Sequence, residues 1–443
     1  MAATGKALIN SGLLFTDRRD FYLGPQMVKE LWPEVTPFVT MVSNMGTKQT
    51  PDPDFKMFEH RSGFVNQEIT VGTVSADWGS SGEPGDTATC VVTTATGLHT
   101  AVDSSYKGLK VMCFSSDYST RYGVMLITAV SAGAFTSGTI TLKALGNPDD
   151  PTNNYCDLTA TNKLIVIGNA YGEGTVAPEP FSDELSIVWN SCQIFKTPVQ
   201  VTGTLYAAAL RGYSNELARL RVEKMKEHKV QMERAFLFGV RSNGMGQGAE
   251  TFADNHQTDA DGNKVRTTFG IISALIRYGT STPTSDSQNI FSINPSTYKY
   301  GNFVDDSKKI FQYIPDSGEK VAFAGMDMYA YWSKIDNNVI GKSGGLIQLR
   351  PQETDSFGYR FNRLITPAGN IRIVYSPILR GPWSKYMVIV DPSNVEHVQY
   401  RGASYQANIK TDNAFDGIKD QYMNDEGLGI TLLETHSLWK LSA

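Results

Sequence analysis

The chain is poor in the residues that usually announce chemistry. Its four cysteines, Cys90, Cys113, Cys156 and Cys192, lie far apart among 443 residues, with no CxxC spacing. That argues against a zinc ribbon or a small disulfide framework and reads as reduced structural thiols in a protein made in a cytoplasm. Six histidines (His60, His99, His228, His256, His397, His436) are scattered, with no HExxH and no i,i+4 pair, so the zinc-protease helix is missing. No GxSxG elbow occurs either. Long apolar runs are lacking: nothing approaches the roughly 20 residues of a membrane-spanning helix. The N-terminal MAATGKALINSGLLF has no apolar core long enough for a signal peptide. An excess of positive charge is also absent, since 40 Lys and Arg face 45 Asp and Glu, a net charge of -5 with no basic cluster. A dedicated nucleic-acid binder, whose affinity rests on Lys and Arg contacts to phosphate, is therefore disfavoured.

Short matches to chemical motifs fail on context. GMGQGA at Gly244–Ala249 formally fits GxGxxA, but it follows a helical pattern and does not open one, so no helix N-terminus awaits a pyrophosphate. GKS at Gly341–Ser343 lacks the first phosphate-loop glycine, because position 336 is Asp336. DADGN at Asp259–Asn263 has Lys264 where a calcium loop needs glycine and Gly270 where it needs glutamate, which predicts a tight turn. The neighbouring pairs Asp149–Asp150 and Asp305–Asp306 suit turn capping better than acid–base work across a substrate. No active site emerges, and neither a cofactor nor a metal is expected.

What the chain does contain is β-type composition around one long charged helix. Forty glycines with abundant Tyr and Phe favour strands and turns. Against this stands NELARLRVEKMKEHKVQMERAFLFG, residues 215–239, rich in strong helix formers and free of proline. Ser214 or Asn215 can cap its start, and Gly239 can end it in a left-handed conformation. Ala218, Val222, Met225, Met232 and Phe236 follow alternating four- and three-residue steps and predict a narrow packing seam, interrupted by Lys229. Arg219–Glu223 and Lys229–Glu233 have i,i+4 spacing along its flanks. At about 1.5 Å per residue such a helix is roughly 36 Å long, a strut docked along one edge.

Residues 1–62 read as an arm, with a short helix near Gln26–Leu31 and an apolar anchor at VTPFVTMVSNMG. Trp32, Phe38, Phe55 and Phe58 have little local sequence to bury them, so the arm folds back on its own body or lies on a neighbour. FVNQEITVGTVSADW, residues 64–78, alternates as a strand does. Five short β runs between 85 and 178 (TATCVVTTATG, GLKVMCFSS, VMLITAVSAG, GTITLKALG, KLIVIGNAY) predict a small barrel or sandwich. SIVWNSCQIFKTPVQVTGT then returns toward the helix. The simplest topology is a long hairpin, 64–78 against about 185–203, with the β-domain at its tip. Residues 265–380 mix helix and strand, and KYMVIVDPSNVEHVQYRG with DEGLGITLLETHSLWKL closes the fold.

This order resembles the major capsid proteins of tailed bacteriophages, with the fold of the Hong Kong ninety-seven phage that encapsulin shells share. TPFVTMVSNMG with PDPDFKMFE, NSCQIFKTPVQVTGT before the long helix, and DGIKDQYMNDEGLGITLLETHSLWKL look like one capsid family with a small β-domain in its extended loop. The likeness spans nearly the whole chain and is carried by order and spacing.

The resemblance implies an α+β capsid fold. Residues 1–62 would be the N-terminal arm, and 63–84 with 179–204 the extended loop hairpin. Residues 85–178 would be the inserted β-domain, 205–264 with 381–443 the peripheral domain with its spine helix, and 265–380 the axial domain. It implies a non-catalytic subunit assembling as hexamers and pentamers into an icosahedral head around double-stranded DNA, built in the host cytoplasm. Ala218, Val222, Met225, Met232 and Phe236 would pack the spine, and Trp32, Phe38, Phe55 and Phe58 would be arm contacts between subunits. Expected partners are a portal and a separate scaffolding protein, since no charged helical extension precedes the arm. A cement or decoration protein and weak non-specific contact with packaged DNA complete the set, with no membrane. Two alternatives stay open: an encapsulin-like compartment shell, and a β-rich carbohydrate-binding or tail-fibre protein using Trp78, Trp189 and Tyr171 on sugars.

Overall fold

The computed structural model describes residues 36–61, 67–76, 82–96, 98, 101–175, 185–208, 215–241, 256–282, 287–298, 300–313, 318–332, 348–354, 360–365, 369–409 and 416–442. Trp32, Trp78, His99, the helix near 26–31 and the near-motifs at 244–249 and 341–343 lie outside the described residues. The chain divides into two compact units, Met1–Met57 with Ile187–Ala443, and Phe58–Ser186.

The smaller unit is a closed barrel of six strands, in the order Lys163–Asn169, Glu68–Ala76, Thr87–Thr96, Thr139–Gly146, Arg121–Ser131 and Leu109–Phe114. All five predicted β runs are strands of it. Alternate residues point inward, as a half-buried strand dictates, so Ile69, Val71, Cys90, Val92, Val111, Cys113, Met125, Ile127, Ile140, Leu142 and Leu164 form its core.

The sixth strand corrects the expected hairpin. Glu68–Ala76 pairs with Thr87–Thr96 and Lys163–Asn169, and not with residues 185–203. Ile69 and Val71 give the reason: the barrel interior buries them completely, which a two-stranded ribbon could not do. The strands that lead into and out of this unit are Asp54–Glu59 and Ser186–Ser191, paired with one another.

Among the described residues the larger unit holds two sheets of four or more strands. A seven-stranded sheet runs in the order Ile290–Ile293, Ser437–Leu441, Tyr386–Val390, Glu319–Ala324, Asn370–Tyr375, Arg360–Ile365 and Gln348–Thr354. It is covered on both faces: Phe323, Val388, Val390 and Leu438 enter one core, while Ala322, Ala324, Met387, Ile389 and Trp439 enter the other. Strands 386–390 and 437–441 lie inside this sheet, so the expected boundary at 380/381 does not separate two sheets. Parallel pairing of 290–293 with 437–441 and of 319–324 with 370–375 mixes segments distant in sequence.

The second sheet has the order Thr47–Gln49, Val395–Gln406, Gly417–Ile430 and Gln193–Thr202. The α-helices include α1 (Pro37–Asn44), α2 (Gly203–Ala207), α3 (Glu216–Phe238), α4 (Ile271–Tyr278) and α5 (Tyr300–Ile310). Helix α3 is the charged strut. Asn215 caps it, its side chain accepting from the Ala218 N–H at 3.0 Å. Gly239 ends it at φ -55, so the expected left-handed stop is not used. Glycine is needed there for closeness: a Cβ would lie 2.4 Å from the Thr268 carbonyl oxygen and 2.5 Å from that of Ala235.

Candidate functional site

Helix α3 organises the packing surfaces of the larger unit. Its buried residues are Leu217, His228, Met232, Glu233, Phe236 and Leu237. Of the predicted seam, Met232 and Phe236 are in the core, whereas Ala218 is exposed, Val222 is 50% exposed and Met225 39% exposed. The three exposed residues correct the seam in its N-terminal half. There the helix docks through Leu217, which clusters with Val199 and Val201, and through polar groups, on a stripe beside the predicted one.

The sheet below explains why. Asp420, Tyr422 and Asn424 alternate along strand 417–430 and so share one face. Arg221 donates from Nη2 and Nε to the buried Asp420 carboxylate at 2.7 and 3.0 Å, and the Tyr405 hydroxyl donates to the same oxygen at 2.6 Å. His228 meets Thr197 Oγ1 at 2.9 Å through Nδ1 and Asn424 Oδ1 at 3.0 Å through Nε2. Burial lowers the pKa of His228. The neutral ring then donates from Nε2 to the amide oxygen and accepts from the threonine hydroxyl. An apolar period count passes over such residues. Admitting the half-buried Arg221 and the buried His228 as docking groups would have made Leu217, Arg221, His228, Met232 and Phe236 one continuous stripe.

Glu233 was also misplaced by periodicity. Arg219 pairs with Glu223 at 2.9 Å, but Glu233 is fully buried and forms no ion pair with Lys229 among the described residues. Its carboxylate reaches α1, accepting from the Val39 N–H at 2.7 Å and the Phe38 N–H at 3.2 Å. Helix α1 has no side-chain cap of its own at Thr36, so Glu233 supplies one from across the core. Burial raises the Glu233 carboxyl to about 7, and the two N–H bonds oppose that rise.

This contact decides part of the arm question. Phe38, Val39, Met41 and Val42 belong to the same core as Phe236 and Phe323, with Phe38 edge-on to Phe323 at 5.3 Å. Phe55 packs with Cys192 and Val398. Phe38 and Phe55 are therefore intrachain core residues, a correction to their expected role as arm contacts between subunits. The chain's own helix and sheets offer them a covering surface that sequence alone does not display. Phe58, by contrast, is 68% exposed.

The remaining candidates sort by burial. Trp189 is buried, so it offers no face to a sugar, while Tyr171 is exposed. Residues 257–265 form a tight hairpin in which Asp259 accepts from the Asp261 and Asn263 N–H groups, with Gly262 at φ +82. All four cysteines are free and buried. Burial pushes the Cys90, Cys113 and Cys192 thiols up to about 12. Among the described residues no group of three or more His, Cys, Asp or Glu is placed to hold a metal ion, and no helix is long and apolar enough to cross a membrane.

Comparison with known proteins adds a family to this geometry. The major capsid protein of Pseudomonas phage PaMx41 is 28% identical over 240 residues, which is 53% of this chain and 51% of that one. The chain thus spans about half the length of the curated relative it matches. Solved structures with likeness include the capsid of a native GTA particle, at 8% identity and TM-score 0.45 over 100% of both chains. The mature capsid of bacteriophage PhiM1 shows 10% identity and TM-score 0.37 over 62% of this chain and 79% of that one. The SrpI encapsulin of Synechococcus elongatus shows 8% identity and TM-score 0.36 over 58% and 77%. The family description SU10 major capsid protein matches residues 26–423, nearly the whole chain, and to that family this chain belongs.

Proposed function

We propose that the chain is the repeating subunit of an icosahedral phage head, a non-catalytic protein that closes around double-stranded DNA as hexamers and pentamers of itself. The family match over residues 26–423 carries the reading. Val222 and Met225, exposed on a helix whose other side is docked, and Phe58, exposed on a strand, support it. Apolar groups that one chain leaves uncovered are covered by neighbours when symmetry repeats the contact. Several modest contacts per subunit then sum to a stable shell. In this reading α3 is the spine, Trp32 and Phe58 of the arm are the remaining contacts to other subunits, and the paired strands Asp54–Glu59 and Ser186–Ser191 belong to the extended loop. Residues 265–380, with strands 386–390 and 437–441 of the same sheet, are axial, and 205–264 with the rest of 381–443 are peripheral. A portal, a separate scaffolding protein and a cement or decoration protein are the proposed partners, with weak non-specific contact to the DNA.

The test is negative-stain electron microscopy of the purified chain alongside size-exclusion chromatography. Closed isometric particles, or rings of five or six, are expected. A chain that stays monomeric, alone and on co-expression with candidate scaffolding proteins, refutes the assignment.

A further inference from the structure

Asp425 is buried but incompletely paired. Along strand Gly417–Ile430 the side chains of Asp420, Tyr422 and Asn424 face α3, so Asp425 falls on the other face of the sheet. It is 3% exposed, and its Oδ1 has no hydrogen-bond partner among the described residues. Its Oδ2 accepts from Arg401, from Nη2 at 3.3 Å and Nε at 3.4 Å. A guanidinium closed on a carboxylate comes to about 2.7–2.9 Å, so this pair stands open. The acids nearby are already held. Glu426 accepts from Gln399 at 3.3 Å and meets His397 at 2.8 Å. Asp54 accepts from Ser191 at 2.6 Å and Arg266 at 3.0 Å, and meets His256 at 3.1 Å. The Cys192 thiol, close to all three acids, is pushed up to about 12 and carries no charge of its own.

The neighbouring strand explains the open pair. Val395–Gln406 shifts register against 417–430 between Gln399 and Arg401, and again between Arg401 and Ser404. Arg401 therefore sits between two bulges, the device by which a strand re-aims a side chain. Tyr400, Arg401, Gly402 and Ala403 are all exposed, and the Arg401 side chain is 49% exposed. A Cβ on Gly402 would find its nearest atom, of Gln399, 3.4 Å away. Strand Thr47–Gln49 flanks only His397–Gln399 and stops short of this stretch. Residues 400–403 thus form a strap on the edge of the sheet, pinned to 417–430 at Gln399 and Ser404 and carrying Arg401 over Asp425. Burial raises the Asp425 carboxyl above its ordinary 3.8 and Glu426 adds to the rise, while Arg401 and Arg266 oppose it.

We infer that Asp425 and Arg401 form a proton-operated latch on the strap 400–403: with Asp425 neutral the strap stands off the sheet, and when Asp425 gives up its proton Arg401 closes over the carboxylate and draws the strap in. A neutral carboxyl tolerates one bare oxygen, whereas a buried carboxylate demands a countercharge. Arg266 is engaged on Asp54, so the cation free to answer is the half-exposed Arg401, whose planar fork can bind both carboxylate oxygens. The sign follows from linkage. The folded chain holds this proton more tightly than the unfolded one, so the stabilisation by the neutral form is present below 3.8 and lost as pH rises through the folded value. The open strap belongs to acid solution and the closed strap to pH above that value. All the groups belong to one chain, so the latch is independent of the shell reading and works before assembly.

Hydrogen exchange of a peptide covering residues 399–406 in the full chain reads the strap, after correction for intrinsic exchange. Wild-type protection is expected to rise about tenfold or more from pH 4 to 8, the worth of a charge-assisted bond. Arg401→Gln, a change at an exposed position, is expected to keep the thermal unfolding midpoint and to lose that rise, and Arg401→Lys to recover part of it. Asp425→Asn is expected to give a flat profile; should it fail to fold, the two Arg401 variants carry the test alone. Glu233 is intact in every variant, so its own titration cancels in the comparison. A flat wild-type profile, or a rise that survives unchanged in Arg401→Gln, would overturn the latch.

Discussion

Glu233 makes one joint of this protein sensitive to protons. A carboxyl displaced from 4.5 to about 7 costs on the order of 3 kcal/mol to ionise in the folded chain, at about 1.4 kcal/mol per tenfold in proton affinity. Burial is the larger cause, and α1 itself, PFVTMVSN, offers no charged side chain to offset it. The sign follows from linkage: the folded group holds its proton more tightly than the unfolded one. Its contribution is fully present below 4.5 and is lost as pH rises through about 7. Docking of α1 on α3 should therefore loosen between pH 5 and 8. Glu233→Gln removes the titration and keeps one oxygen to accept from the Val39 N–H. Hydrogen exchange of a peptide covering residues 36–45 reads the effect directly, after correction for intrinsic exchange. Protection in the wild type should fall by up to about 100-fold from pH 5 to 8, which is the 3 kcal/mol restated. In Glu233→Gln it should stay nearly flat. Parallel profiles in the two proteins would refute the argument and mean that Glu233 stays ionised throughout, stabilised by its two N–H donors.

Four further outcomes follow from the same structure. Met225→Lys should leave unfolding within about 0.5 kcal/mol of wild type, as exposed sites do, yet reduce particle yield by electron microscopy; Phe236→Ala should cost about 3–5 kcal/mol in urea unfolding. If Met225→Lys unfolds the chain, the exposed placement of Met225 is wrong. Gly239→Ala should destabilise by about 1–3 kcal/mol or more, because the added methyl meets two carbonyl oxygens below 2.6 Å; a neutral result in thermal unfolding would show that the 239–270 junction gives way easily. Cys90, Cys113 and Cys192, with thiols pushed up to about 12, should resist iodoacetamide at pH 8 until urea unfolds the chain, because the thiolate is the reacting species.

The sequence by itself determined the elements whose signal is local. Residues 216–238 could only be helix, since strong helix formers run uninterrupted between an asparagine cap and a glycine. The five β runs between 85 and 178 declared themselves through alternation and turn residues, and the order of parts pointed to the capsid family. Neither periodicity nor propensity, however, says which partner an element meets. Glu68–Ala76 alternates equally well as a ribbon or as a barrel stave, and only closure of the barrel around Ile69 and Val71 chose between them. Phe38 and Phe55 were apolar without local cover, and only the assembled core decided that this chain covers them. The tertiary structure also set the docked side of α3, because Asp420, Tyr422 and Asn424 gave Arg221 and His228 partners nearly 200 residues away in sequence. An apolar seam count assumes that buried means hydrophobic. Here the sheet gave the half-buried Arg221 and the buried His228 polar partners, and left Val222 and Met225 exposed.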